Sequence, residues 1–518
     1  MPITSTVLRV AESDPGRPAI VGGAADGSGP APRLDYAGLV EDSRRMFAAV
    51  DALHARQPDP PAPAAETGGI PITAVSVDSA FHTARIVAGL AGYRAVSATI
   101  DPRWPLAHRV GVIIATGIGV VISDDAELAG ALAERDWGGT IAGLDEFRRL
   151  EAAAQPAQAP TVRDGDEAFL LLFSSGTTSD PKAFLKTRRQ YRDNVAVSSA
   201  HLEPLPGVAT LAPGPLSYSL TLYALIECLA TGGEAHLADV FDPVAMAARV
   251  AEERITRVVA VPAVVQTLTD AARRDPSRFE TLDLVVTGGA NLPESLRLGL
   301  AEVLPGTRLV SYYGAAEIGF IGDSRGGDGT LIDVYPGIGA SVRDAEGEEV
   351  ADGEPGTLWI SAAACSDGYV AGTTDAVLRG ADGWATVGDQ ARMVDGRLQL
   401  LGRSGDIAVT GGHKVALPEV ERAFDGMPGL GAVCAVALPH RRLGSVVALV
   451  LEAAGEEGEG SAAPPSKAEL QRRARERLAP QFVPRRWYLI ERLPRTVGGK
   501  IRRPATTEAV EAGSAVRL

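Results

Sequence analysis

Residues 169–173 read Phe-Leu-Leu-Leu-Phe, and the chain runs from them directly into Ser174-Ser175-Gly176-Thr177-Thr178-Ser179-Asp180-Pro181-Lys182. Five consecutive apolar residues predict a strand buried on both faces. The loop behind it offers a run of hydroxyls, backbone N–H groups made approachable by Gly176, and a terminal ammonium on Lys182. That is the donor set a polyphosphate takes. It is not a Walker loop, because GxxxxGK[ST] is absent and Lys182 precedes Ala183. Three more apolar runs, Arg257 to Val261, Leu282 to Thr287 and Arg308 to Tyr312, end in Pro262, Gly288-Gly289-Ala290 and Gly314-Ala315-Ala316. Helical stretches are expected between them, Val264 to Arg274 and Pro293 to Val303, the second capped by Asn291 with Glu294 three residues on. Strand–helix alternation of this kind predicts an α/β fold with mainly parallel sheets, whose ligands gather outside the carboxyl ends of the strands.

A chain of 518 residues is too long for one core and suits two or three domains. Its net charge of −15 argues against nucleic acid or an anionic membrane as partner. No run approaches the ~18 apolar residues of a membrane span. The N-terminal MPITSTVLRV has neither a basic flank nor a sustained apolar core, so a cytoplasmic location is expected. Cys228, Cys365 and Cys434 are far apart and show no metal-ligand spacing, which suits buried, reduced thiols. Only five of the 50 basic residues are lysines: Lys182, Lys186, Lys414, Lys467 and Lys500. Where arginine is the default cation, a lysine marks a place that suits a compact ammonium.

From Pro418 the pattern restarts as a small α+β unit: helix 419–424, strands 431–437 and 445–451, helix 468–478 and strand 487–490. The boundary is expected near Gly402-Arg403, giving a large domain over 1–402 and a small one over 403–518. The acidic, Gly/Ala/Pro-rich stretch Glu452 to Pro465 predicts poor order.

Further segments follow the first loop in order. They are Ser311-Tyr312-Tyr313-Gly314-Ala315-Ala316-Glu317 and Gly383-Trp384-Ala385-Thr386-Val387-Gly388-Asp389. Next come Gly402-Arg403, Asp406 and Thr410-Gly411-Gly412-His413-Lys414-Val415, and lastly Leu493-Pro494-Arg495-Thr496-Val497-Gly498-Gly499-Lys500-Ile501-Arg502. Together they resemble the phosphate loop, YGxTE, GWxxTGD, hinge and PRTxxGKIxR segments of the adenylate-forming superfamily. That superfamily contains acyl-CoA synthetases, peptide-synthetase adenylation domains and luciferases, and the pattern is closest to bacterial acyl-CoA ligases. The resemblance runs from about Asp14 to Arg503.

The resemblance implies activation of a carboxylic acid by ATP through an acyl-adenylate, with Mg²⁺, and capture of the acyl group by coenzyme A. Ser174, Ser175, Gly176, Thr177 and Thr178 would hold the phosphates with Lys182, and Glu317 with Thr177 would hold Mg²⁺. Tyr313 would lie against adenine with Gly288, Gly289, Ala290 and the segment Tyr312, Gly314, Ala315 and Ala316. Asp389 would accept from the ribose hydroxyls, and Arg403 would reach ribose or phosphate. Lys500 would meet charge shifting between carboxylate and α-phosphate. Gly405 matches the hinge, and Gly411, Gly412, His413 and Lys414 the coenzyme A channel. Tyr218, Ser219, Tyr223, Gly288 and Ile318 would line the acyl pocket. No Asp stands in Pro213 to Ser219 to meet a substrate ammonium, which disfavours an α-amino acid. Small residues there suit a bulky, apolar acid. A carrier-protein pantetheine is the alternative thiol, and a homodimer is compatible with the resemblance.

The chain departs from the family pattern at several places. Ser179 and Ala183 stand for glycines, Arg188 for a histidine, Val387 for Thr or Ser, and Ala316 for the threonine of YGxTE. A hydroxyl donating to a charged oxygen is worth ~1.5–3 kcal/mol, so its loss at Ala316 predicts about 10- to 100-fold weaker adenylation. One alternative is therefore an enzyme specialised for the thioester step on a preformed acyl-adenylate. Another is a silent nucleotide-binding protein, against which Lys182, Glu317, Asp389 and Lys500 all stand.

Overall fold

In the computed structural model the described residues are 3–23, 31–174, 182–289, 292–327, 329–410, 413–453, 465–480, 482–496 and 499–518. Strands buried along their whole length need cover on both sides, and helices supply it here. Ile72–Val75, Val96–Thr99, Val120–Ile122, Ala209–Ala212, Arg257–Ala260 and Leu284–Thr287 are each buried throughout. The Phe-Leu-Leu-Leu-Phe run lies in the strand Ala168–Ser174, buried up to Phe173.

Among the described residues these strands form two large sheets. One has six strands in the order Thr140–Ala142, Val120–Ile122, Ile72–Val75, Val96–Thr99, Ala168–Ser174, Lys182–Thr187, parallel until the last pair. The other has thirteen. Its parallel centre runs Pro18–Val21, Glu234–Leu237, Ala209–Ala212, Arg257–Ala260, Leu284–Thr287, Arg308–Ala315. Beyond Arg308–Ala315 it continues as antiparallel strands Gly319–Ser324, Leu331–Val334, Arg397–Arg403, Asp389–Val394, Gly356–Ser361 and Gly339–Arg343. The largest hydrophobic cluster joins the two sheets, with Phe169, Leu172, Phe184, Leu222, Leu225, Val286 and Val310 in one core.

Local chemistry fixes where the helices start. Asp35, Ser79, Asp125 and Asp242 each accept from backbone N–H groups of the helix they precede. Thr187 and Gln190 form a capping box that turns the strand Lys182–Thr187 straight into the helix Arg188–His201. The helix Glu294–Val303 begins differently from expectation. Pro293 occupies the N-cap position without a side-chain bond, and Asn291 lies outside the described residues. Proline fixes φ and needs no N–H there, so it suits the start of a helix.

The small α+β unit has its own six-stranded sheet, covered by clusters around Val447, Leu449 and Trp487 on one face and Val446, Val450 and Ile490 on the other. A short 3₁₀ turn, Ser404–Asp406, joins it to the strand Arg397–Arg403 of the thirteen-stranded sheet. Its helices and strands fall within a few residues of expectation: Leu417–Arg422, Val433–His440, Gly444–Glu452, Lys467–Arg477 and Arg486–Ile490. Lys467 opens its helix and donates to the Leu518 carbonyl at 2.8 Å. The three cysteines are free and buried.

Candidate active site

The turn between Arg308–Ala315 and Gly319–Ser324 is the centre of the site. It is tight enough that a Cβ on Gly314 would stand 2.5 Å from the Gly319 carbonyl oxygen, while Gly319 itself takes φ +109°. Both positions therefore require glycine. The turn presents Tyr313 on one side and Glu317 on the other.

Tyr313 Oη donates to Asp389 Oδ2 at 2.6 Å, and Arg403 Nε reaches Asp389 Oδ1 at 3.3 Å. Asp389 and Arg403 face each other in register on neighbouring strands. Burial, then Asp389, pushes the Tyr313 phenol well above its usual range. For Arg403 burial works against the charge, but Asp389 and Glu317 outweigh it and raise the pKa. Lys500 joins from the small unit. Its side chain stays open to solvent in a crowded cleft. Burial and then the Arg403 charge lower its pKa, with Asp389 opposing.

Glu317, 6% exposed, accepts from Tyr369 Oη at its Oε1, 3.0 Å away. Its main-chain oxygen accepts from Lys186 Nζ at 2.7 Å and Ser366 N at 2.8 Å. Lys182 Nζ lies 5.3 Å from the centre of the Tyr369 ring, within cation–π range. Ser174 pairs with Lys182 across the two strands, so the two ends of the predicted phosphate loop meet beside Glu317. Ser175, Gly176, Thr177 and Thr178 of that loop, Ala290, Gly411 and Gly412 lie outside the described residues, as do the side chains of His413 and Lys414.

The expected acyl-pocket residues divide. Tyr223 is buried and donates to the Ala316 carbonyl at 2.7 Å. The Tyr312 ring fills the space left by the missing side chain of Gly288, where a Cβ would meet it at 2.4 Å. A file of edge-to-face aromatics connects Tyr191, Tyr223, Phe320 and Tyr312 at ring-centre distances of 5.1, 6.1 and 4.9 Å. Tyr218 precedes the helix Ser219–Thr231, and next to it Ser217 Oγ donates to the fully buried Asp101. Ile318 instead sits in a separate cluster with Ile321, Ile332 and Leu358. Ala315 belongs to the strand end and is partly buried against that same cluster.

At the expected hinge, a side chain on Gly405 would meet no atom within 4 Å. Asp406 next to it is tied to the small unit. Arg503 donates to Asp406 at 2.6 Å, to Glu421 at 2.5 Å and to the Ala435 carbonyl. Burial opposes that guanidinium's charge, yet Glu421 and Asp406 hold it firmly protonated.

Two members of the cluster, Tyr369 and Lys186, were not predicted as site residues. Tyr369 carries no local sequence signal. Lys186 carried one, as one of five lysines in an arginine-rich chain.

A model described as AMP-binding enzyme matches residues 74–370, and one described as AMP-binding enzyme C-terminal domain matches residues 419–500. The chain belongs to the AMP-binding enzymes. Feruloyl-CoA synthase of an Amycolatopsis species is 30% identical over 389 residues, covering 70% of this chain and 75% of that protein. The uncharacterized acyl-CoA ligase YhfT of Bacillus subtilis is 28% identical over 368 residues, covering 70% and 72%. In fold, the ATP-bound MatB of Rhodopseudomonas palustris superposes with a TM-score of 0.84 at 21% identity, covering 98% of each chain. This AMP-binding enzyme is thus adenylate-forming: it activates a carboxylic acid with ATP. Among its described residues no helix is long and apolar enough to cross a membrane.

The residues present fit these ligands. Glu317 supplies one hard carboxylate, and among the described residues no set of three His, Cys, Asp or Glu is gathered as a metal site. That matches Mg²⁺, which takes one or two carboxylates and otherwise phosphate oxygens and water. Three cations, Lys182, Arg403 and Lys500, surround the same cleft, and Asp389 offers the carboxylate a ribose diol requires.

Proposed function

We propose that this enzyme is an AMP-forming carboxylate–CoA ligase, with Lys182, Glu317, Asp389, Arg403 and Lys500 as its working residues. The observation that carries the reading is their convergence on one cleft from five separate segments and both parts of the chain. The named activity of the feruloyl-CoA synthase relative supports coenzyme A as acceptor.

In this reading the substrate carboxylate attacks the α-phosphorus of ATP and pyrophosphate leaves. Positioning and charge neutralisation dominate such a step. Mg²⁺ held by Glu317, with Thr177, would neutralise phosphate charge. Lys182, with Ser174, Ser175, Gly176, Thr177 and Thr178, binds the departing pyrophosphate. Asp389 accepts from ribose, and Arg403 fixes Asp389 in place. Tyr313 and the Gly288-Gly289-Ala290 loop bound the adenine, with Tyr312, Gly314, Ala315 and Ala316 shaping that wall. Lys500 places its ammonium where negative charge moves from carboxylate to α-phosphate, next to Asp389 and Arg403.

The domain boundary lies at Gly402-Arg403, with domains 1–402 and 403–518, and Gly405 is the hinge. Nothing crowds that glycine, and Asp406 beyond it is tied through Arg503 to the small domain. A rotation there withdraws Lys500 and brings Gly411, Gly412, His413 and Lys414 to the cleft for thiol attack on the acyl carbonyl. The acid is bulky and apolar, facing Tyr218, Ser219 and Tyr223, while Ile318 packs behind in its own cluster. The enzyme acts in the cytoplasm, and a homodimer is compatible with this reading.

The test is incubation with ATP, Mg²⁺ and a panel of aryl and fatty acids, offering free coenzyme A against several pantetheine-bearing carrier proteins. Acyl-CoA should accumulate. Transfer only to a carrier would replace this reading with carrier loading.

A further inference from the structure

Lys186 has no part in the reaction described above, yet it is the most unusual cation in the fold. It is 2% exposed, and its ammonium donates to the carbonyls of Glu317 at 2.7 Å and Ala364 at 2.6 Å. Among the described residues no carboxylate forms an ion pair with it, and burial draws its pKa down to about 8. Burying a cation costs free energy that two neutral acceptors only partly return. The Glu317 carbonyl already has the Ser366 N–H, so satisfying that oxygen does not by itself call for a buried cation.

What Lys186 adds is a geometric tie. It lies four residues after Lys182 on one strand, so both side chains leave the same face. The strand is also bound to the segment that carries Tyr369: Val370 N donates to the Ala183 carbonyl at 2.8 Å, and Phe184 bridges Tyr369. Tyr369 in turn holds the Glu317 carboxylate. Lys186 thus grips Glu317 from its main chain while Tyr369 grips it from its side chain, and both are anchored to the strand of Lys182. A lysine suits the place because one compact ammonium meets two converging carbonyls, where a planar fork would need more room.

We propose that Lys186 is a positioning residue for adenylation: it fixes the separation between the Glu317 carboxylate and Lys182 at the end of the phosphate loop. The inference rests on the reading of Glu317 as the Mg²⁺ ligand. Misplacing a catalytic group by about 1 Å costs on the order of 100-fold in rate, so the effect should fall on pyrophosphate release and not on the thioester step.

The experiment compares Lys186→Met, Lys186→Gln and Glu317→Gln with the full-length wild-type enzyme. The readouts are thermal midpoint, Mg·ATP affinity by equilibrium dialysis, the half-saturating Mg²⁺ for pyrophosphate release, and thioester formation from preformed acyl-AMP. Lys186→Met should weaken Mg·ATP binding and raise the Mg²⁺ requirement roughly tenfold. Its pyrophosphate release should slow by about 10- to 100-fold, with thioester formation within about threefold of wild type. Lys186→Gln keeps N–H donors and should recover part of the loss; it carries the test alone if the methionine variant does not fold. An unchanged Mg²⁺ requirement in a folded Lys186 variant, while Glu317→Gln raises it, overturns this inference alone. Parallel loss of both half-reactions with the thermal midpoint also overturns it, since that is what a packing role would give. An unchanged requirement in Glu317→Gln would overturn the metal reading of Glu317 and the present inference with it.

Discussion

Replacing Gly314 by alanine adds one methyl group at the tightest point of the site. That methyl would stand 2.5 Å from the Gly319 oxygen and 3.3 Å from the Gly319 carbon and Phe320 Cα. All three are backbone atoms, so no side chain can turn aside. Regaining ordinary van der Waals separation requires the turn to open by about 1 Å, at a cost of ~1–3 kcal/mol. The opening displaces Tyr313 from its 2.6 Å bond to Asp389 and moves Glu317 relative to Lys182. A shift of that size should slow adenylation by on the order of 100-fold. Stopped-flow pyrophosphate release and differential scanning calorimetry on Gly314→Ala check both parts, the melting point falling by a few degrees. Gly130→Ala is the control. It lies in the helix Ala126–Ala133 with no atom within 4 Å of its new Cβ, and should gain up to about 1 kcal/mol. Wild-type adenylation and stability in Gly314→Ala would refute the reasoning.

Ala316→Thr should raise pyrophosphate release by about 10- to 100-fold by supplying a donor to the phosphate; no change would make Ala316 a neutral substitution. Acid should destabilise the fold through His54 and His82. Burial lowers each to about 4, helped in His82 by Arg85 and opposed in His54 by Asp51. Folded-state values below the unfolded value of about 6.5 mean full stability above that pH, lost as pH falls toward 4. The loss is up to about 3 kcal/mol for each ring. Urea denaturation between pH 7 and pH 4.5 should follow it, with His54→Gln flattening the profile; a His54→Gln profile as steep as the wild type would contradict the assignment.

Much of this architecture is legible from local pattern. The Phe169 to Phe173 run, the strands ending at Gly288 and Gly314, and most of the small unit follow from unbroken apolar runs and turn residues. The antiparallel strands from Gly319 to Arg403 are harder to see. Leu331–Val334, Gly339–Arg343, Asp389–Val394 and Arg397–Arg403 are partly exposed and carry Gly or Asp, so no period of two emerges in them. The N-cap position before Glu294–Val303 falls to Pro293, which no propensity for capping side chains would pick, while Asn291 lies outside the described residues. In the site, Glu317 and Asp389 are visible as motif members, but their partners are not. Tyr369 meets Glu317 across 52 positions of sequence, and Lys186 meets Ala364 across 178. Such pairings depend on how sheets stack, which no local window contains. The aromatic file through Tyr223 and Phe320 is likewise a product of packing, and it separates Ile318 from the tyrosines grouped with it by sequence.

Lys500→Ala tests the central claim most directly, because the account gives that ammonium to one half-reaction only. Its place near Asp389 and Arg403 puts it at the nucleotide during adenylation, and rotation about Gly405 would remove it before thiol attack. Pyrophosphate release from ATP and acid should fall by about 100- to 1,000-fold, as for other lost preorganised donors. Thioester formation from supplied acyl-AMP and coenzyme A should remain within about threefold of wild type. Equal loss of both half-reactions, or adenylation that survives intact, would contradict the account.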